Sequence, residues 1–376
     1  MQVHHHTTLQ SQGGTAQAVQ NLMDWLAEHD VTGSRSYEIQ DSGTTGQCLQ
    51  PSSVAGQVRL PALSSGRKAV IHLHGSFDWP ACLEGFLATT QHLVLTLHDC
   101  RLLTGGCAYP LNCGFWKTGC QETCPQNLPA PAHHRQAVFR LLEALRPQLI
   151  VPSAWLTRMV REIHPQAQIQ TIPNAVPEMF APASIISSEE KRTAKREMGI
   201  DPTGKVMLFV AHGGRQAIYK GGHLWERIWK LVKQKEPLAV ALAVGGNAIH
   251  RAGDCIELPY LDQKHLARCM RAADVLVYPS LADNHPLIIL EAMSLGLPCA
   301  AFARGGIPEQ IIHEHSGLLS PPGDIAHLAA SVLEILSNGR IAKQFAQASR
   351  ERYARLFNME HMGRRHLRLY AELSPT

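Results

Sequence analysis

Short apolar runs alternate with longer amphipathic stretches along the whole chain. Ala69-Val-Ile-His-Leu-His74, His92-Leu-Val-Leu-Thr-Leu97, Gln148-Leu-Ile-Val151, Val206-Met-Leu-Phe-Val-Ala211, Leu238–Val244, Asp274-Val-Leu-Val-Tyr278 and Cys299-Ala-Ala-Phe302 each read as a strand. Near-continuous apolar strands are those covered on both faces, which predicts parallel sheets with helical crossovers. The pattern recurs in both halves, so it predicts an α/β protein of two doubly wound domains. Two prolines in Ile172-Pro-Asn-Ala-Val-Pro177 mark the boundary. That places an N-terminal domain at 1–172 and a C-terminal domain at 173–355. The helical stretch at 356–376 is expected to cross back to the first domain.

Composition narrows the function. The chain has 376 residues, 45% of them apolar, and 35 basic against 31 acidic groups for a net charge of +4. That balance excludes a disordered chain and a general polyanion binder, so no nucleic-acid partner is expected. Residues 1–172 hold 11 basic and 11 acidic groups, so the excess lies downstream. No 18-residue apolar stretch predicts a membrane helix. Met1-Gln2-Val3-His4-His5-His6 lacks the basic and apolar regions of a signal peptide; its three histidines could be a tag remnant, although tags usually run longer. A cytoplasmic chain with reduced thiols is the expectation. Its arginine-rich tail would suit peripheral contact with anionic lipid at the inner face of a membrane, or a solvated helix.

Six segments carry candidate chemistry. Gly13-Gly14 precede a helical stretch, whose free N–H groups suit a phosphate or merely end a strand-to-helix turn. Gly213-Gly214-Arg215 through Lys220-Gly221-Gly222 follow a strand. There two glycine-flanked cations could clamp a diphosphate, against the alternative of a solvated basic loop. Asp283-Asn284-His285-Pro286-Leu287-Ile288 leads into a helix carrying Glu291. Its amides would form an anion site and its carboxylates would accept from sugar and ribose hydroxyls, or would cap the helix. Arg304-Gly305-Gly306-Ile307-Pro308-Glu309 repeats the same strand, turn and helix order, and reads equally as a turn with Pro at the first helical position or as a loop in direct ligand contact. His98 closes a strand and could donate to a substrate hydroxyl; His72 and His74 end the preceding strand similarly. Cys107, Cys113, Cys120 and Cys124 fall within 18 residues, dense enough for a structural zinc, with disulfides or free thiols as alternatives.

In that order, these motifs resemble the retaining family-4 glycosyltransferases of GT-B fold, over nearly the whole chain. The segment from Thr96-Leu-His-Asp99 through Cys107, Trp116-Lys-Thr-Gly-Cys120 and Cys124-Pro125 is similar to the branch of colanic-acid and exopolysaccharide enzymes, as is Asp283 through Glu291. The resemblance implies two Rossmann-like domains facing a central cleft. It implies a nucleotide diphosphate sugar donor (UDP- or GDP-sugar) and a glycan or lipid-linked oligosaccharide acceptor.

It also implies roles. Arg215 and Lys220 would hold the diphosphate, Gly13 and Gly14 would contact its distal phosphate, and Glu291 would bind the ribose. His285, Pro286, Leu287 and Ile288 would wrap the phosphates, and the base would lie near Tyr260. His98 and Asp283 would face the transferred sugar. Where the family has Glu, this chain has the shorter Asp283. Fixed cations and helix amides can stabilise the leaving diphosphate, so no catalytic metal is expected. Two alternatives stay open: a non-catalytic GT-B-like binding subunit, and a GT-B nucleotide-sugar epimerase.

Overall fold

The computed structural model describes residues 1–41, 69–89, 91–177 and 185–374, arranged in two compact units. The first holds the chain up to Ala175 together with Met359 onwards; the second runs Val176–Asn358.

The sheet of the first unit has six parallel strands, β1 (Gln2–Leu9), β2 (Thr32–Ile39), β3 (Val70–Leu73), β4 (His92–Thr96), β5 (Gln148–Val151) and β6 (Ile169–Thr171). Their order is β2-β1-β3-β4-β5-β6. Helices α1 (Gly13–Ala27), α2 (Trp79–Glu84), α3 (Phe115–Thr118), α4 (Pro131–Leu145) and α5 (Ala154–Ile163) connect them. The C-terminal helix, Met359–Leu373, buries Met362, Leu369 and Tyr370 against Leu22, Trp25 and Leu26 of α1 and Val3, Val70 and Val94 of the sheet. Gly363 makes that approach tight, because a Cβ there would meet the Trp25 ring at 2.2 Å.

The three early histidines are not a tag remnant. They form the buried middle of β1, an interior strand. Their polarity is tolerated because each has a partner. His4 Nδ1 and Nε2 lie 2.8 and 2.9 Å from the Ser34 and Ser36 hydroxyls of β2, and His6 Nδ1 lies 2.8 Å from Ser36. On the opposite face, His5 Nδ1 lies 3.1 Å from His74 Nε2.

The second sheet comprises β7 (Lys205–Val210), β8 (Ala239–Gly246), β9 (His250–Ala252), β10 (Cys255–Pro259), β11 (Val275–Tyr278), β12 (Cys299–Phe302) and β13 (Leu318–Ser320). The order is β13-β12-β11-β7-β8-β10-β9, parallel except for β9. Its helices are α6 (Ser188–Glu197), α7 (Trp225–Lys235), α8 (Gln263–Ala272), α9 (Leu287–Ser294), α10 (Ile307–Gln310), α11 (Ile325–Ser337) and α12 (Gly339–Leu356). A capping box between Ser187 and Glu190 starts α6. Phe209 and Trp225 stack at 5.3 Å within a core of Met207, Val277, Phe302 and Leu328.

Part of the arginine-rich tail serves this fold. Arg350 donates to the Ser294 carbonyl at 2.6 Å, and Arg352 donates to the carbonyls of Gln310 and Glu309 at 2.9 and 2.6 Å. Among the described residues, no helix is long and apolar enough to cross a membrane.

Candidate active site

The carboxyl ends of β7, β8 and β11 are neighbours in the second sheet, and the loops that leave them interlock. After β7 the chain turns through Gly213 to Gly222 in two short 3-10 segments. Gly221 has a φ of +73°, and a Cβ there would sit 1.9 Å from the Pro279 carbonyl oxygen. Only glycine permits that approach. Two bonds then tie the loop to the one after β11. Leu281 N–H and the Ser280 hydroxyl donate to the Tyr219 carbonyl at 2.8 and 3.1 Å.

This interlock brings Lys220 against Asp283. The Lys220 ammonium and the Tyr278 hydroxyl both donate to Asp283 Oδ2. Lys220 Nζ also lies 6.0 Å from the centre of the Tyr278 ring. The shorter acid therefore reaches both partners. Arg215 turns elsewhere, donating to Glu257 at 2.5 Å and Glu226 at 2.8 Å. The two cations of the loop are thus each engaged by carboxylates, Lys220 at a buried one and Arg215 at partly exposed ones.

Beyond Asp283 the chain stays buried through Leu287 and enters α9, which has no side-chain cap. His285 Nδ1 lies 3.2 Å from Gln310 Nε2, which also donates to the Pro286 carbonyl at 3.0 Å. Burial holds the His285 imidazole neutral, its pKa lowered to about 3, although the nearby Asp283 opposes the shift. Glu291, one turn into α9, is buried and its carboxyl is pushed up to about 7 by desolvation. Tyr260 lies past β10, exposed, its ring edge-on to His212 at 5.7 Å.

Gly305 settles between the two readings of its motif. Its φ is +61°, and a Cβ would sit 1.9 Å from the Asp283 carbonyl oxygen, which accepts from Gly306 N–H at 3.1 Å. The Gly-Gly-Ile-Pro-Glu segment is a brace for Asp283. Gly305→Ala is expected to displace Asp283 and lower turnover about 10²-fold, the scale of a roughly 1 Å misplacement. Steady-state kinetics beside circular dichroism checks this, and wild-type turnover would refute the bracing role.

In the first unit, Gly13 has a φ of +84°, and among the described residues nothing lies within 4 Å of where a Cβ of Gly13 or Gly14 would stand. Helix α1 starts there without a side-chain cap from Gln12, and the Ser11 and Gln12 N–H groups just before it donate to the Asp41 carboxylate at 2.8 and 2.6 Å. His98 follows β4, half-buried, with Nε2 3.2 Å from His74 Nδ1. The four clustered cysteines line one pocket with Phe115 and Trp116, and Gly105 N–H donates to Cys120 Sγ at 3.1 Å. No three of their sulfurs lie within 4.8 Å of one another. Among the described residues, only His5, His72 and His74 bring three ligand atoms within 4.8 Å of one another.

Sequence reasoning did not single out Tyr278, Glu257, Glu226 or Gln310. Tyr278 had a signal, a polar tip ending an apolar strand five residues before Asp283. The others come from distant elements and carry no local mark.

Residues 190–352 match the family model described as Glycosyl transferases group 1. The second unit carries a glycosyl transferases group 1 domain. Arg215, Lys220, Tyr260, Asp283, His285 to Ile288 and Glu291 all lie within this domain. One relative is the putative colanic acid biosynthesis glycosyl transferase WcaC of Escherichia coli K12, 26% identical over 275 residues. That alignment covers 70% of this chain and 65% of WcaC, less than two thirds of its length.

The fold is GT-B, shared across both units. Sucrose-phosphate synthase from Thermosynechococcus elongatus superposes with a TM-score of 0.72 at 19% identity, covering 99% of this chain and 98% of its own. Anabaena HepE, solved in complex with UDP-glucose, gives 0.70 at 14% identity, covering 99% and 100%.

Proposed function

We propose that this protein is a retaining hexosyltransferase that moves a sugar from a UDP- or GDP-sugar to a glycan or lipid-linked acceptor in surface polysaccharide synthesis. The single observation carrying this reading is the Lys220–Asp283–Tyr278 cluster on the glycine-locked loops, beside the uncapped start of α9. A cation, helix amides and a buried carboxyl are what a diphosphate leaving group and a sugar hydroxyl need. The similarity to WcaC supports the polysaccharide assignment.

In this reading Lys220 and Arg215 hold the diphosphate, and 285–288 wrap it. Glu291 accepts from the ribose and Tyr260 flanks the base. Asp283 and His98 contact the transferred sugar, and the Gly13 and Gly14 amides take the distal phosphate. Same-face attack needs no protein nucleophile: a donor phosphate oxygen takes the acceptor hydroxyl proton as the glycosidic bond breaks. The chain's own cations supply the charge that a metal would otherwise bring. A binding subunit would lack turnover, and an epimerase would need an acid–base pair at the donor carbon.

The test is a panel of UDP- and GDP-sugars, scored by thermal shift and by nucleoside diphosphate release with a lipid-linked glycan acceptor. One donor should raise Tm by mass action and be consumed, with the anomeric configuration kept in the product. Absence of both effects for every donor overturns the proposal.

A further inference from the structure

The candidate active site uses the loops at the carboxyl ends of β7, β8 and β11. The other end of the same sheet carries a second concavity. Lys205 begins β7, Asp274 directly precedes β11 and Pro298 directly precedes β12, and all three line a cavity of about 340 Å³. Strand β7 runs six residues, so about 20 Å of strand lies between the two ends. The volume falls at the lower end of the roughly 300–1,000 Å³ usual for small-molecule sites.

The lining combines two chemistries. Ile185, Met270, Leu297 and Ile335 supply an apolar wall. Lys191, Arg192 and Lys195 of α6, Lys205, and Lys343 of α12 supply cations around it. Asp274 acts among them as a scaffold. Its Oδ2 accepts from Lys195 Nζ and from Val206 N–H, both at 2.8 Å, and its Oδ1 accepts from Lys191 Nζ at 3.2 Å. Lys195 Nζ also donates to the Gly204 carbonyl at 2.6 Å. These bonds hold α6 against the start of the sheet and fix where Lys191 stands. Arg192 donates to Glu189 at 2.7 Å.

The lysines are close enough to repel one another. Lys195 is 4% exposed, and its pKa is lowered chiefly by burial. Asp274 opposes the shift, while Lys191 and Lys205 add to it. Like charges gathered beside apolar walls are less screened than charges on an open face. An anion placed among them turns that repulsion into attraction. Ammonium groups are compact point charges that suit phosphate oxygens, and the apolar wall suits a hydrocarbon or aromatic body.

We propose that this cavity is a second ligand site, at the opposite end of the sheet from the candidate active site, and that it takes a small phosphate monoester whose organic part is apolar. Lys191, Lys205 and Lys343 hold the phosphate. Met270, Leu297 and Ile335 line the space for the organic part. Lys195 and Asp274 are positioning residues for Lys191. The site stands apart from the proposed transfer reaction, so its test reads binding without turnover.

Isothermal titration calorimetry of the full-length protein with phenyl phosphate provides that test. One site per chain is expected, with a Kd about 10-fold or more below that for inorganic phosphate, because only the ester fills the apolar part. Lys205→Gln combined with Lys343→Gln should weaken binding about 10-fold or more. Neither side chain belongs to the buried core, and circular dichroism checks that the fold is kept. Lys220→Ala, at the other end of the sheet, should leave the Kd unchanged.

Equal affinity for inorganic phosphate and phenyl phosphate overturns the proposal, since it describes a basic patch and not a built site. So does binding that survives the double variant, or that Lys220→Ala abolishes. Finding no phenyl phosphate binding at millimolar concentrations overturns it as well, and so does capture on phosphatidic acid vesicles in place of such binding, which would make the patch a membrane contact.

Discussion

Lys220→Ala is expected to lower kcat/KM for glycosyl transfer by about 10²- to 10³-fold, the scale of removing one preorganised stabilising group. Negative charge on the diphosphate grows as the glycosidic bond breaks, so a cation fixed beside it acts mainly in the transition state. Lys220 is so fixed: its loop is locked by Gly221 against Pro279, and its ammonium rests on Asp283 with Tyr278 alongside. The substitution also strips a buried carboxylate of its cation. Asp283→Asn and the double variant therefore belong in the same cycle, and strong coupling between the two sites is expected. Arg215→Ala should cost less, about 10-fold. Arg215 is 37% exposed and already shared between Glu226 and Glu257, so a diphosphate must compete for it. Lys220→Arg should not rescue, because a planar fork does not replace a compact ammonium in that space. Steady-state kinetics with the donor found by thermal shift measures all five. A Lys220→Ala enzyme within a few-fold of wild type would remove Lys220 from the mechanism.

What was legible in the sequence follows from what is local. Strands such as Gln148–Val151 and Cys299–Phe302 were read at their observed limits, because strands buried on both faces leave an unbroken apolar run. Strand β1 was not legible, since QVHHHTTL carries polar side chains whose partners, Ser34, Ser36 and His74, come from other strands. Strand β2 is a polar edge for the same reason.

The glycine-bracketed cations were visible as a motif, but their counterions were not. Glu257 stands 42 residues beyond Arg215. The Gly305 motif read equally as turn or ligand loop, and only the closeness of the Asp283 carbonyl separates the two. The histidine count was conspicuous, but a cluster assembled from three strands and a C-terminal helix leaves no spacing to recognise.

That cluster makes acid lability the largest stability effect expected of this chain. His4, His5, His72, His74 and His366 of the first unit and His285 of the second are all at most 5% exposed. His5 and His285 are lowered to about 3, His4 and His366 to about 4, and His72 and His74 well below the ordinary value, in each case chiefly by burial. A histidine whose folded pKa lies below its unfolded value of about 6.5 binds its proton first in the unfolded chain. Its stabilising contribution is complete above pH 6.5 or so and drains away as pH falls towards 4.

One pH unit below the unfolded value, each such group forfeits about 1.4 kcal/mol. Six together rival the roughly 5–15 kcal/mol that holds a typical domain folded. Glu291 works the other way: raised to about 7, it favours the folded state as pH falls from 7 towards its unfolded value near 4.3. One group cannot offset six.

Tm should therefore fall steeply between pH 6.5 and 5, with an uptake of several protons on unfolding. Because five of the six histidines lie in the first unit, its transition should move before that of the group 1 domain. A Tm that stays level from pH 8 to 5.5 would mean that these imidazoles meet water or a counter-charge in solution.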